Sequence, residues 1–190
     1  MKTKILMLTM AMACTFAGNA LSMTDQEHKA QKTRVAADYK AGKEKCSALK
    51  ANAKDICMAE AKGTEKVAKA EMAAAYKPSA NNTRDVALAK GDAVYNVAKE
   101  KCDDLTGNAK DVCVKDAKAA HVKVKEDAKV AKVSSNTAVT KPGNVAEAKK
   151  DAAEEKNEAN YKAAKERCDS LSGAPKDTCQ TEAKTKFGMK

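Results

Sequence analysis

Three copies of one cysteine-bearing motif run through this chain of 190 residues. Each copy opens on a Tyr and continues through a Cys, a Leu, a Lys-Asp pair, a second Cys and an acid-Ala-Lys triplet. The first copy carries Tyr39, Cys46, Leu49, Lys54, Asp55, Cys57 and Ala61. The second carries Tyr95, Cys102, Leu105, Lys110, Asp111, Cys113 and Ala117; the third Tyr161, Cys168, Leu171, Lys176, Asp177, Cys179 and Ala183. The motif tyrosines lie 56 and then 66 positions apart, and the extra ten residues fall between copies, around Ser134 to Gly143. An insertion there, outside the motif, is what a linker between repeated units tolerates.

Periodicity places the motif on helices. Tyr95, Ala98, Cys102 and Leu105 follow a 3-4-3 spacing, as do Tyr39, Gly42, Cys46 and Leu49, and Tyr161, Ala164, Cys168 and Leu171. That is one apolar stripe on a helix otherwise covered by Lys and Glu. After the second cysteine, Cys113, Ala117, Ala120, Val124 and Ala128 form a stripe of small residues, and Cys57, Ala61, Thr64, Ala68 and Met72 keep its register. Between the two arms, Thr106-Gly107-Asn108 and Ser172-Gly173-Ala174-Pro175 are stop and restart signals. The first copy has Ala51-Asn52 in place of Gly-Asn, a weaker turn. Thr24 to Glu27 and Asn144 to Glu147 both resemble capping boxes that open a hairpin.

The spacing fixes the expected cross-links. On one continuous helix, cysteines eleven apart would sit about 16 Å apart along the axis. A disulfide needs Cα atoms within about 7 Å. Folding the chain at the turn brings the two cysteines opposite each other, with the leucine closing the end of the hairpin. The expected disulfides are therefore Cys46–Cys57, Cys102–Cys113 and Cys168–Cys179. The expected fold is all-α: three disulfide-stapled antiparallel helical hairpins in tandem, joined by short linkers. Hairpin 1 takes 24–79, hairpin 2 takes 82–135, a linker takes 136–143 and hairpin 3 takes 144–190.

The N-terminus reads as an export signal. Lys2 and Lys4 precede an uncharged apolar run from Ile5 to Ala17, followed by the small residues Gly18 and Ala20. This is the pattern of a cleavable secretory signal peptide over 1–20, cut after Ala20 or, second choice, after Ser22. The run falls short of the ~20 apolar residues of a membrane span. Cleavage takes Cys14 with it and leaves six cysteines, an even number suited to disulfides in an oxidising compartment. It also takes Lys2 and Lys4, so the formal charge falls from +10 to +8. No Trp is present, alanine is abundant and large aliphatics are sparse. Such a chain makes slender helices more readily than a large core.

Residues for catalysis are scarce. His28 and His121 are the two histidines, each alone in a charged stretch. No glycine-rich phosphate loop follows a strand, and C-x10-C is neither the C-x-x-C of a redox pair nor the close knuckle of a structural zinc site. The reading is of a protein that is not an enzyme and has no cofactor, no metal site and no catalytic residues. Lys is interleaved with Glu and Asp along every helix, the pattern of solvated faces with i,i+4 pairs. The net positive charge suits anionic polymers, while the scarcity of aromatics speaks against nucleic acid.

The units C-x-x-L-x-G-N-A-K-D-x-C, placed after a signal peptide, resemble a group of periplasmic Cys-repeat helical proteins known as TolA-like cell envelope biogenesis proteins. The resemblance covers nearly the whole mature chain and implies a periplasmic, envelope-associated protein. The expected function is that of a non-enzymatic cell-envelope structural or interaction protein, presenting charged helical faces to an envelope protein. The alternative is a binding module for anionic envelope polymers or metal ions, possibly stress-related.

Overall fold

A computed structural model describes residues 23–136 and 141–189. The expected signal peptide, its cleavage sites and residues 137–140 of the linker lie outside the described residues. Six helices follow in chain order: α1 (Asp25–Ser47), α2 (Ala51–Tyr76), α3 (Ala80–Cys102), α4 (Gly107–Ser135), α5 (Pro142–Cys168) and α6 (Ala174–Phe187). No strand occurs among the described residues. The three disulfides join Cys46 to Cys57, Cys102 to Cys113 and Cys168 to Cys179, with Cα separations of 5.5, 5.6 and 5.7 Å. The architecture is the one the spacing implies, three disulfide-stapled helical hairpins. Three disulfides suit an oxidising, extracytoplasmic compartment. No helix among the described residues is long and apolar enough to cross a membrane.

Helix ends follow local chemistry. Thr24 caps α1 in a full capping box: its hydroxyl accepts from the Glu27 amide while Glu27 takes the Thr24 amide. Ser79 caps α3 by accepting from the Asn82 amide at 3.1 Å. The capping box expected at Asn144 to Glu147 does not form, because α5 already begins at Pro142 with Lys141 as its cap. Proline's fixed φ suits the first helical position, and that start leaves Asn144 inside the first turn. At the three hairpin turns the chain enters α2, α4 and α6 through positive φ: Ala51 at 48°, Gly107 at 57° and Gly173 at 61°.

The leucines of the motif do not close the hairpin tips. Leu49, Leu105 and Leu171 are 41%, 41% and 42% exposed. The first arms end at Ser47, Cys102 and Cys168, so each leucine lies just past its helix. Its amide instead reaches back to the cysteine carbonyl at 3.0 Å in all three repeats. Once the helix has stopped, the 3-4-3 spacing no longer holds the leucine on the apolar stripe.

Each helix packs on its neighbours in sequence, and among the described residues no other pair of helices is in contact. The hairpins therefore stack side by side through α2 on α3 and α4 on α5, giving a layer one helix thick. Cys46, Cys102 and Cys168 are fully buried, and much of the remaining core is small: Ala119, Ala128, Ala152, Ala163 and Ala183, with Val35 and Met72. Glycine lets helices approach closely where the layer is tightest. A Cβ on Gly63 would stand 2.8 Å from that of Ala93, and one on Gly91 2.7 Å from Val124 Cγ1. So little buried area leaves each staple, worth about 3 kcal/mol for a loop of this size, a large share of the stability.

Candidate interaction surface

A layer one helix thick leaves two broad faces in solvent, and one of them carries an apolar strip. Between α2 and α3 a groove of ≈ 580 Å³ is lined by Val67, Ala68, Val94 and Val97. Between α3 and α4 a second groove of ≈ 230 Å³ shares Val94 and Ala98 and adds Ala117, Ala120 and Val124. The two meet at Val94, which is 69% exposed. Small side chains keep the grooves open, because alanine fills little of the space between helices. One end of the first groove holds Glu60 and Lys101; the other holds an ion pair, Lys90 to Glu71 at 2.8 Å. The strip thus lies in a frame of mixed charge.

The histidines are not isolated. His28 stacks on Tyr76 across the first hairpin with ring centroids 4.3 Å apart, and the Tyr76 hydroxyl donates to Asp25 at 2.5 Å. That hydrogen bond to a carboxylate raises the Tyr76 pKa. His121 stacks on Tyr95 across the second hairpin at 4.6 Å, and its Nε2 lies 2.6 Å from an Asp92 oxygen. Both histidines sit where the two arms of a hairpin meet, so their role is packing between arms. The register set by each disulfide contains the signal: His28 lies 18 residues before Cys46 and Tyr76 lies 19 after Cys57. Tyr95 lies 7 before Cys102 and His121 8 after Cys113, the same offset of one.

Charged groups tie α4 to α5. Asp127 takes hydrogen bonds from Lys123, at 2.8 Å, and from Lys156 of α5, and these hold its pKa below the usual carboxylate value. Arg167 of α5 pairs with Asp116 of α4. At the far end from the disulfides, Glu126 is buried and accepts from Lys129 at 2.6 Å. It lies beside a polar cleft of ≈ 550 Å³ lined by Arg84, Lys132, Asp151 and Glu154. Among the described residues no group of three or more His, Cys, Asp or Glu is placed to hold a metal ion. The six motif cysteines are brought together two by two as staples, and their thiols are consumed in doing so.

Neighbouring hairpins are also joined at their tips. The Asn52 amide group donates to the Glu100 carbonyl at 2.7 Å, and that of Asn108 to the Glu166 carbonyl at 2.9 Å. Each asparagine in a turn thereby adds a second donor to a carbonyl in the last turn of the next hairpin's first arm, which also accepts the Asp103 or Asp169 amide at 3.1 Å.

Comparison with protein-family models, with curated proteins and with solved structures finds no match to this chain.

Proposed function

We propose that this is an exported, non-enzymatic periplasmic protein of the cell envelope, which uses one face of a stapled helical layer to hold an envelope protein. The observation that carries the reading is the apolar strip centred on Val94. A contiguous exposed apolar surface framed by polar residues is the usual mark of a binding site on a soluble protein. The leader sequence, the disulfides and the resemblance to TolA-like proteins support the envelope location. Stapled hairpins suit such a task, because a thin layer with little core keeps its shape through cross-links.

A photo-reactive residue at Val94 in living cells tests this. The expected result is one discrete protein adduct, lost when Val97 is changed to Asp and absent with the probe at the exposed Asn157. Equal, diffuse labelling from both positions would refute the reading.

The second reading, binding of anionic envelope polymers, draws on α4. Lys118 and Lys125 are exposed, lie seven residues apart on one face, and have no acid within ion-pair distance among the described residues. Salt-sensitive retention on purified anionic polymer, lost in a Lys118→Gln/Lys125→Gln variant, would favour it over the first.

A further inference from the structure

We infer that the two outer helices are end caps: α1 and α6 carry altered copies of the surface on which hairpins stack, so the layer closes at three hairpins and does not add a second copy of this chain end to end. The stacking surface is defined by contacts already described. On α2 it runs from Asn52, bonded to α3, to Gly63, against Ala93, with Ile56 and Ala59 between them at helical spacing. On α4 the same positions are Asn108, Val112, Lys115 and Ala119; Lys115 reaches Glu166 of α5 at 3.8 Å and Ala119 is buried. All eight residues are half-buried or buried.

On α6 these positions are Ala174, Thr178, Thr181 and Thr185, and all four are exposed. The asparagine that reaches the next hairpin has become alanine, followed by Pro175. The other three positions are threonines, and Thr181 and Thr185 turn their hydroxyls onto carbonyls of their own helix at 2.8 and 3.0 Å. The helix is also cut to 14 residues, against 26 in α2 and 29 in α4.

The opposite end is altered in a complementary way. The carbonyls of Glu100 and Glu166 each take an asparagine from the preceding hairpin, whereas the Glu44 carbonyl takes its own Ser47 hydroxyl at 2.6 Å. The second and third repeats have Asp103 and Asp169 at the Ser47 position. At one end the donor is gone; at the other the Ser47 hydroxyl takes the place on the Glu44 carbonyl that an asparagine side chain takes on Glu100 and Glu166. Stacked-repeat proteins need such polar terminal repeats to stay soluble.

Moving the cap inward tests the inference. The full-length variant Asn108→Ala/Val112→Thr/Ala119→Thr gives α4 the residues that α6 has at those places. Hydrogen exchange should show α5 and α6 losing protection by about tenfold or more while α1 to α3 keep theirs. Unchanged protection in α5, or a loss spread equally over the first hairpin, would overturn the inference. Independently, the wild-type protein should sediment as a monomer up to millimolar concentration; concentration-dependent growth into chains would also overturn it.

Discussion

Replacing Ala51 by Gly should stabilise the protein, while replacing Gly107 by Ala at the matching turn should destabilise it. Ala51 is the one residue other than glycine with positive φ among those described, at 48°, and Gly107 stands at 57° in the next repeat. An L-residue held in the left-handed region costs about 1–2 kcal/mol. Glycine pays no such cost but loses about 0.4–1 kcal/mol to its freer unfolded chain. The net gain for Ala51→Gly is then about 0.5–1 kcal/mol, and Gly107→Ala should lose as much. An added Cβ at Gly107 meets nothing within 4 Å, so the loss there is purely conformational. In a chain of this size such changes move Tm by about 1–4 °C. Thermal unfolding of the oxidised proteins, followed by far-ultraviolet circular dichroism, measures both. A lower Tm for Ala51→Gly, matching that of Gly107→Ala, would refute the reasoning.

Gly63→Ala places a Cβ 2.8 Å from that of Ala93 and should push α2 from α3, costing about 1–3 kcal/mol, read as a fall in Tm. On gradual reduction the first hairpin should open first, since its turn carries the strained Ala51; alkylation during reduction should label Cys46 and Cys57 before the other four cysteines. Acid should loosen the α4–α5 junction: the Asp127 pKa is lowered by Lys123 and Lys156, so its contribution is present above the unfolded carboxylate value of about 3.8 and disappears as pH falls through the lower folded value. Both partners are partly exposed, so Asp127→Asn should cost under about 1 kcal/mol at pH 7 and flatten the acid limb of a stability–pH curve.

Much of this fold was legible because it is written three times. Cysteines at fixed spacing on a helical pattern admit one local solution, the hairpin, and Gly107 and Gly173 mark where it turns. At the start of α5 a capping-box pattern at Asn144 competes with a proline two residues earlier, and the proline's fixed φ prevails. The motif leucines fall off the apolar stripe because a stripe inferred from spacing requires the helix to continue, and each first arm stops before its leucine. The His–Tyr stacks needed the register, which the disulfides supply, to be carried down both arms. The Val94 strip could not be read from one helix at all: it is made from small residues of three helices that each look like ordinary packing positions. The side-by-side stacking of hairpins hides in the same way, apart from the asparagines of the first two turns.

The most direct test is non-reducing peptide mapping of the protein taken from the periplasm. Peptides linked through Cys46–Cys57, Cys102–Cys113 and Cys168–Cys179, with no free thiol and a mature N-terminus at or near Leu21, are the predicted result. Free thiols, bridges between repeats, or an intact Met1 would contradict the account of an exported array of stapled hairpins.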